Sequence, residues 1–339
     1  MARRGIVCGG SWGVDKNKLV DLWPEEEHTA FIIAEEQQCG GSGANASVDL
    51  KQLGAPFPVD AIGLVGDDED GRFLRGVCET ASVSSAQLHV SHTLRTSHTF
   101  VMTARPTGRR TFFHHQGTHA LLTPDHFDFA RTEAAILHLG LPGELDKMDA
   151  PWQGEASGWV AVLKKARTAG LKTNMEFAPI PHGALAALAR PCLPHLDFLI
   201  INDAEAGEVS GIPTVGRGTV DAAACEAAAL GIRQQSSAEL VVVHFPFGAI
   251  AASRDGAITR KPSVRVPQEA IVGSVGAGDA FAAGMLLGIH EAWPLERSLA
   301  LAHATAAASL RSLTTTGAVE SWQACLKLAD AWGWREAFA

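Results

Sequence analysis

The sequence lacks the features that mark several large protein classes. No apolar stretch reaches the length of about eighteen residues that a membrane-spanning helix needs, so we expect no transmembrane segment. Only 19% of the 339 residues are charged and the formal net charge is −9. A basic face that would bind nucleic acid or an anionic membrane is therefore not expected.

Sequence signatures of three further kinds are missing. The six cysteines are scattered and form no C-x-x-C pair, which favours reduced thiols in a cytoplasmic protein over a disulfide framework or a zinc site. No G-x-x-x-x-G-K-[ST] run is present, which argues against a P-loop kinase. No G-x-S-x-G run is present either, which argues against an α/β-hydrolase.

The sequence does contain enough apolar material for a large core, since 46% of its residues are hydrophobic. Short β-rich runs alternate with helical patterns, at residues 5–8, 59–65, 134–139, 198–201 and 240–243. Short apolar strands separated by helices predict an α/β fold with a mostly parallel sheet covered on both faces. Ligands of such sheets bind beyond the carboxyl ends of the strands.

Two stretches break this alternation. Residues 29–38 have a β-like pattern, and residues 96–115 predict a hairpin with a turn at R-P-T-G. Antiparallel ribbons inserted in an α/β chain can form a small separate sheet, here a lid built from about 28–40 and 95–116. An edge hairpin of the main sheet accounts for the same pattern equally well.

The run Gly276-Ala277-Gly278-Asp279 opens a segment that is apolar on nearly all sides. Such a segment predicts a buried helix, and the free N–H groups of its first turn would make an anion site. A carboxylate beside an anion is repulsive unless it has a chemical role, such as accepting a proton. Asp279 is thus predicted either to cap the helix or to act as a general base.

A second glycine-rich run extends from Cys39 to Ala46 and precedes a helical pattern that Gly54 stops. Gly41, Gly43 and Ala46 satisfy the G-x-G-x-x-A dinucleotide fingerprint. That fingerprint requires an apolar strand before it and an acidic residue about twenty positions later. Polar residues precede the run here, so we do not favour a dehydrogenase.

Two weaker patterns supply candidate ligands. Asn202 and Glu205 follow the run at 198–201 and would share a face of a helix, where they could hold a hydrated magnesium ion. A capping box, in which Asn202 caps the helix and Glu205 bonds back, accounts for this spacing at least as well. Asp15, expected in the loop after the first strand, could bind two hydroxyls of a polyol.

Taken in order, these motifs resemble the ribokinase-like (PfkB) family of carbohydrate kinases. The resemblance covers nearly the whole chain and rests on the G-G-x-G-A-N run from Gly40 to Asn45, I-G-L-V-G-D-D-E-D-G at 62–71, N-x-x-E at 202–205 and G-A-G-D at 276–279. It implies a doubly wound sheet with a small β-lid over the site. It also implies transfer of the γ-phosphate of ATP to a sugar or nucleoside hydroxyl.

The resemblance also implies roles for individual residues. Asp279 would be the general base, and the backbone N–H groups of Gly276, Ala277 and Gly278 would form the anion hole. Asn202 and Glu205 would organise Mg²⁺. The predicted substrate contacts are Asp15, Gly40, Gly41, Asn45, Gln116 and His119, and the predicted nucleotide contacts are Asn202, His244, Gly248 and His303.

The sequence departs from the family pattern at three places, the first of which is Gly117-Thr118-His119, where the family commonly has G-A-N after the lid hairpin. Gly273 stands where relatives have an aspartate that helps to hold an activating monovalent cation, so potassium dependence stays open. The nucleotide loop has His244, Pro246 and Phe247 where the family usually has a threonine and a glycine, which leaves the nucleotide preference open.

We therefore predict a single ribokinase-like α/β domain over 1–339 that acts as an ATP- and Mg²⁺-dependent sugar kinase. A nucleoside kinase of the same family is the first alternative, with Phe100, Phe112 and Phe113 of the lid as candidates for stacking on a base. The second is a sugar-binding relative without catalysis. A homodimer through the lid is also expected, and the sequence does not identify the sugar.

Overall fold

The strands form two β-sheets and, separately, one pair of very short strands. The computed structural model describes residues 3–177, 180, 183–216 and 218–338, so the ends of the predicted 1–339 domain lie outside it. The strands in these residues are β1 (Ile6–Gly10), β2 (Gly13–Val20), β3 (Ile32–Gly40), β4 (Val59–Gly66), β5 (Ser84–Ser91), β6 (His98–Ala104), β7 (Arg110–His115), β8 (Ile136–Gly140), β9 (Lys172–Met175), β10 (Phe198–Asn202), β11 (Val215–Gly216), β12 (Thr219–Val220), β13 (Leu240–Phe245), β14 (Gly248–Ser253) and β15 (Ile258–Pro262).

The large sheet has nine strands in the order β15-β14-β13-β10-β9-β8-β1-β4-β5. Every neighbouring pair from β13 to β5 is parallel. An antiparallel hairpin, β14 and β15, extends the sheet at the β13 edge. These pairings confirm the predicted mostly parallel α/β sheet. Its strands are short apolar runs because they are buried on both faces.

Helices cover both faces of this sheet. They are α1 (Ser42–Gln52), α2 (Glu69–Ala81), α3 (Asp146–Asp149), α4 (Gly158–Thr168), α5 (Ala184–Ala189), α6 (Asp203–Ser210), α7 (Ala222–Gln235), α8 (Ala277–His290), α9 (Leu295–Ser309) and α10 (Trp322–Trp332). Side chains of α1, α2, α8, α9 and α10 share one hydrophobic core, and those of α4 to α7 share the other. Of the helices in the described ranges, none is long and apolar enough to cross a membrane.

Strand alternation divides the apolar residues between the two cores. On β1, Ile6 and Cys8 enter the core beneath α1 and α8, whereas Val7 enters the opposite one. Each of these side chains is fully buried. This two-sided burial is why the strand reads as a continuous apolar run in the sequence.

The small sheet has four strands in the order β3-β2-β6-β7. The hairpin at residues 96–115 therefore belongs to a separate sheet, and the alternative of an edge hairpin of the main sheet is wrong. The predicted lid segments omit β2, which pairs with both β3 and β6. The expectation that Asp15 lies in a loop is also wrong, because Asp15 lies on β2 opposite Gln38.

Helix α8 lies unusually close to α9. A Cβ at Gly284 would stand 2.7 Å from Cα of Ala302, and one at Gly288 would stand 2.6 Å from Cβ of Ser298. Small residues on α8 therefore allow the two backbones to approach closely. The contact fixes α8, whose N-terminal turn carries the G-A-G-D motif.

Candidate active site

The first turn of α8 presents free amide groups toward a cavity. Gly276 is the N-cap and has a left-handed backbone, with φ of +81°. A side chain there would collide with the carbonyl oxygen of Thr315, so only glycine fits. The first N–H groups of an α-helix have no partner within the helix, and they lie at the positive end of its dipole. This turn can therefore bind an anion such as a phosphate.

Asp279 lies in this turn but does not cap the helix. Among the described residues, no backbone N–H of the α8 turn donates to the Asp279 carboxyl group, so the capping alternative for Asp279 is wrong. Oδ2 of Asp279 accepts a hydrogen bond from Nδ2 of Asn45 on α1 at 2.8 Å. Oδ1 of Asn45 in turn accepts one from Oγ1 of Thr315 at 3.1 Å. The amide of Asn45 is thus engaged with the candidate base and with the loop behind it.

Two residues that sequence reasoning missed complete the surroundings of Asp279. The carboxyl group of Glu176, directly after β9, interacts with the carboxyl group of Asp279. Nε2 of His138 on β8 lies 3.1 Å from Oε2 of Glu176. Burial, followed by the nearby Glu176 carboxyl, raises the pKa of Asp279 well above its usual range. Burial also raises the pKa of Glu176, to about 7.

A cavity of about 320 Å³ lies between the small sheet and the carboxyl ends of β1 and β8. Ser11, Asp15, Gly40, Gly41, Thr99, Phe112, His114, His119 and Glu144 are among its lining residues. Burial, followed by repulsion from Asp279 and Glu144, raises the pKa of Asp15 to about 7. Of the predicted substrate contacts, Asp15, Gly40, Gly41 and His119 therefore share one cavity.

Two positions of this cavity require glycine, because neighbouring atoms lie too close to leave room for a side chain. A Cβ at Gly40 would stand 2.6 Å from Oδ1 of Asp15. Gly41 has φ of +89°, and a Cβ there would stand 2.5 Å from Oγ of Ser11. The G-G pair thus lets the carboxylate of Asp15 and the end of β1 come together at the start of α1.

His119 and Gln116, two of the predicted substrate contacts, differ in position. His119 is buried, and its Nδ1 lies 3.0 Å from Oγ of Ser97. Burial lowers the pKa of His119 to about 3, so the ring is neutral. Nε2 of Gln116 instead donates to Oδ1 of Asp146 at 2.5 Å, and Gln116 is absent from the cavity lining.

A second cavity, of about 410 Å³, lies on the other side of the α8 turn. Asp203, His244, Phe245, Pro246, Ser263, Val264, Ser274, Ala277, Gly278, Phe281, His303 and Arg335 are among its lining residues. The predicted nucleotide residues His244 and His303 both line it. Gly248 does not, since it packs against Phe338.

Neutral aromatic rings form part of the wall of this second cavity. The ring of His244 stacks on Phe281 with centroids 4.5 Å apart, and His303 meets the same ring edge-on at 5.0 Å. Burial lowers the pKa of His244 to about 4 and that of His303 to about 3. Flat neutral rings beside an amide-rich helix end suit a ligand with an aromatic base and phosphates.

Asn202 and Glu205 form a reciprocal cap on α6. Oδ1 of Asn202 accepts from the backbone N–H of Glu205 at 2.9 Å, and Oε2 of Glu205 accepts from that of Asn202 at 3.0 Å. Burial, opposed by the bond from the Asn202 backbone and reinforced by Glu176, raises the pKa of Glu205 to about 8. The capping alternative is therefore present, and magnesium ligation by these residues stays a prediction.

Gly273, at the position of the missing family aspartate, lies beside a positively charged side chain. A Cβ at Gly273 would stand 2.7 Å from the carbonyl oxygen of Ser312 and 2.9 Å from Nη2 of Arg110 on β7. A larger residue would displace that loop or the guanidinium. The loop before the anion site is thus covered by a cation from the lid.

The raised carboxyl pKa values predict that folding stability falls as pH rises. Asp15, Glu144 and Glu176 have pKa values of about 7 in the folded chain, and Glu205 has one of about 8. Above about pH 6.5 the buried histidines are neutral in both the folded and the unfolded chain, whereas the unfolded chain has already released these carboxyl protons near pH 4. From about pH 6.5 to 8 the folded state therefore binds more protons and is progressively disfavoured. Urea unfolding of the ligand-free protein should give a lower free energy of unfolding at pH 8 than at pH 6.5, by more than the ~1.4 kcal/mol that one pKa unit represents. Equal values would contradict this burial.

Comparison with known proteins agrees with this geometry. Residues 17–322 match the family described as pfkB family carbohydrate kinase. A probable fructokinase of Arabidopsis thaliana is 31% identical over 168 residues, which are 49% of this chain and 45% of the relative. An adenosine kinase of Schizosaccharomyces pombe is 30% identical over 114 residues, 33% of each protein. The chain thus spans less than half the length of these curated relatives.

The fold likeness extends over the whole chain. The structure of Arabidopsis thaliana ribokinase complexed with ribose and ATP superposes with a TM-score of 0.77, covering 97% of this chain and 99% of the other at 20% identity. Identity this low establishes the shared fold alone. Because the family match covers most of its length, the chain belongs to the PfkB family of carbohydrate kinases.

Proposed function

We propose that the protein is an ATP-dependent kinase that phosphorylates a hydroxyl of a small sugar. The observation that carries the proposal is the position of Asp279. Its helix turn, through Ala277 and Gly278, borders the larger cavity, and its carboxyl group interacts with Asp15 and Glu144 of the smaller one. A base between two cavities, beside free amides, suits transfer of an anionic group from one ligand to another.

The reaction follows from this arrangement. The O–H bond of the acceptor breaks, its proton goes to a carboxylate oxygen of Asp279, and the acceptor oxygen bonds to the γ-phosphorus. The bond from that phosphorus to the bridging oxygen breaks, and ADP leaves with the electron pair. The amides of the α8 turn, around Gly276 to Gly278, stabilise the negative charge on the transferred group.

Magnesium fits the residues at the carboxyl end of β10. Asp203 and Glu205 bring carboxyl oxygens there, and burial raises the pKa of both because a charge without a counter-ion is costly. Such oxygens are the ligands that Mg²⁺ prefers. Asn202 and Glu205 would hold the hydrated ion, which when bound would neutralise charge on the phosphates.

The acceptor would bind in the smaller cavity. Asp15 can accept hydrogen bonds from two hydroxyls, and the neutral ring of His119 offers a further polar contact. The relatives are named fructokinase, ribokinase and adenosine kinase, so the acceptor classes are ketohexoses, pentoses and nucleosides. Phe112 of the lid lines the cavity and could stack on a base, which makes a nucleoside the second candidate.

A coupled ADP-release assay tests the function. The acceptors are pentoses, hexoses, keto-acids and nucleosides, each with ATP and Mg²⁺ and with or without potassium. Turnover of a sugar with kcat/KM at least about 100-fold above that of any nucleoside supports a sugar kinase, and the reverse order supports a nucleoside kinase. Binding of sugar without binding of ATP by calorimetry would identify the non-catalytic alternative.

The cellular setting is part of the proposal. All six cysteines are free and buried, which suits a reducing compartment such as the cytoplasm. The small sheet and the connection from β2 to β3 expose large apolar side chains, namely Trp23, Phe31, Ile32, Ile33 and Phe113. Its edge strand β3 is long and apolar at its outer end, a feature that isolated proteins usually protect. A second copy of the chain, placed sheet against sheet, would cover it.

A charge placed on this surface should separate the two copies. Phe31 is 71% exposed, so Phe31→Asp leaves the folded monomer intact but puts a carboxylate into the interface. We expect the wild-type protein to sediment as a dimer and F31D as a monomer at micromolar concentration. Val215→Asp, which changes a side chain 43% exposed on β11, outside the small sheet, is the control and should remain dimeric. A monomeric wild type would contradict the prediction.

A further inference from the structure

Two histidines and a glutamate meet at one wall of the smaller cavity. His114 lies on β7, His119 lies in the 3₁₀ turn Gly117–Leu121, and Glu144 lies between β8 and α3. One ligand atom of each, a ring nitrogen or a carboxyl oxygen, lies within 4.8 Å of the other two. All three residues line the cavity. The small sheet and the end of the large sheet thus bring a His-His-Glu set to one point.

The spacing of these three atoms suits a single small ion. Around a tetrahedral Zn²⁺ with bonds of about 2.0–2.1 Å, two ligand atoms stand about 3.3–3.4 Å apart. Side-chain movements of about 1.5 Å therefore bring atoms that are at most 4.8 Å apart to the distances of a zinc site. The side chain of His114 is exposed and lies on an edge strand of the small sheet, so it has room for such a movement.

The hydrogen bonds of His119 leave it a lone pair for a metal. Oγ of Ser97 donates to the carbonyl oxygen of His115 at 3.3 Å, so the same hydroxyl accepts from Nδ1–H of His119 at 3.0 Å. The neutral ring then carries its lone pair on Nε2, which lies 3.4 Å from Oγ of Ser11 and 3.3 Å from the carbonyl oxygen of Trp12. Histidines that bind metals are typically held through their other ring nitrogen in this way.

His114 has a similar arrangement at its own ring. Its Nδ1 lies 3.0 Å from Oγ1 of Thr99, and its Nε2 has no hydrogen-bond partner in the part of the chain that the structure describes. The ring centroids of His114 and His119 are 5.7 Å apart. A hydroxyl group thus engages one nitrogen of each ring, and the other nitrogen can bind an ion.

The carboxyl groups of this cavity lack a positive partner. Asp15 and Glu144 both line it, and none of the described residues that line it is a lysine or an arginine. Oε2 of Glu144 accepts from Oγ of Ser11 at 3.5 Å, which is too long for a strong hydrogen bond. Burial raises the pKa of Glu144 to about 7, as expected for a carboxyl group without a counter-charge. A divalent cation would supply that charge.

We propose that His114, His119 and Glu144 form a binding site for Zn²⁺, and that this ion and the acceptor exclude each other. Two imidazoles and one carboxylate with an open fourth position are a ligand set that Zn²⁺ takes in proteins, whereas Mg²⁺ prefers oxygen ligands. The exclusion rests on the proposed function, because the ion occupies polar groups of His119 and Glu144 that face the acceptor cavity. Zn²⁺ is therefore a competitive inhibitor of the kinase, and it ties β7 of the lid to the loop after β8.

Metal binding to the ligand-free protein tests the site without turnover. Co²⁺ takes the same ligands as Zn²⁺ and absorbs visible light when it is four-coordinate. The wild-type protein should bind one Co²⁺ at micromolar concentration, and Zn²⁺ should displace it. His114→Ala and Glu144→Gln should each weaken binding at least about 10-fold, since losing even a residue that supports a metal ligand weakens binding by about 10- to 100-fold.

His115→Ala is the matched control. His115 follows His114 on the same strand, so its side chain points to the opposite face, where it stacks on His98. The variant loses one lid histidine without losing a proposed ligand. It should bind Co²⁺ with the wild-type affinity.

The KM for the acceptor tests the exclusion. The assay uses saturating ATP and Mg²⁺, the best acceptor of the screen, and free Zn²⁺ set by a metal buffer. Zn²⁺ at about ten times its dissociation constant should raise this KM about 10-fold and leave kcat unchanged, as for two ligands that exclude each other. The same Zn²⁺ concentration should change the KM of H114A less than about twofold, and H115A should respond as the wild type does.

The two readouts keep the metal site and the kinase function distinct. Absence of Co²⁺ binding in the wild type, or equal affinity in wild type, H114A and E144Q, would overturn the site. A fall in kcat of equal size in wild type and H114A would overturn the exclusion, because Zn²⁺ would then act elsewhere. Metal binding that H114A loses, in a protein that phosphorylates none of the acceptors, would support the site and refute the function.

Discussion

Replacing Asp279 with asparagine should lower kcat by about 10³-fold, since a general base contributes about 10² to 10⁴. The amide of asparagine cannot take the acceptor's proton, although it has nearly the same size and can still contact Asn45 and Glu176. Binding of ATP in the larger cavity should be retained, because the backbone amides of the α8 turn are unaffected. The KM for the acceptor should change much less than kcat.

The measurement is steady-state ADP release at saturating acceptor, with calorimetry of ADP binding on the same preparation. Asp279→Asn should fold at least as stably as wild type near pH 8, since burial beside Glu176 disfavours the ionised form of Asp279. Asp255→Asn is the control, because Asp255 lies in an exposed turn between β14 and β15 and accepts only from the Ala257 backbone. An unchanged kcat in D279N would refute Asp279 as the base.

Replacing Asp15 with asparagine should raise the KM for the acceptor by about 10- to 100-fold while kcat falls less. A hydrogen bond from a hydroxyl to a carboxylate contributes about 1.5–3 kcal/mol of binding free energy. An amide oxygen in the same place retains only part of that contribution. The pKa of Asp15 is about 7 in the free protein, so acceptor binding should also tighten as pH rises from 6 to 8. Asp15→Asn should lose this pH dependence.

The control is Asp21→Asn, directly after the same strand. Oδ1 of Asp21 accepts from the backbone N–H groups of Leu22 and Phe31 at 2.9 Å, and an asparagine oxygen can accept both bonds. Initial-rate kinetics of wild type, D15N and D21N with the best acceptor of the screen provide the comparison. An equal KM in all three proteins would remove Asp15 from the acceptor site.

The sequence predicted the main sheet well because its strands are buried on both faces. β10 and β13 each begin with four consecutive apolar residues, and short runs of this kind between helical patterns are typical of strands in a covered parallel sheet. β2 was missed because its sequence, G-V-D-K-N-K-L-V, is polar in the middle and half-buried in the structure. Its pairing with β3 and β6 stabilises it as a strand, and no local pattern reports pairing across a sheet.

The candidate site was predictable only where glycine marks it. Gly41 and Gly276 have left-handed backbones that collide with neighbours if a side chain is added, so the requirement is visible in the sequence. Glu176 carries no such mark, because it follows the short strand K-T-N-M and reaches Asp279 only through the fold. His138 is likewise hidden within an apolar strand, where a single histidine usually indicates only a satisfied core residue.

The native thiols leave the molecule open to selective chemical labelling. All six cysteines are buried, and burial raises the pKa of Cys39, Cys78 and Cys192 to about 12, so maleimide dyes should react with none of them in the folded state. Cysteines introduced at exposed Thr107, in the turn of the lid hairpin, and at exposed Asp255 would then be the reactive pair. Energy transfer between dyes on that pair could follow the distance from lid to body in single molecules, in an otherwise unaltered protein.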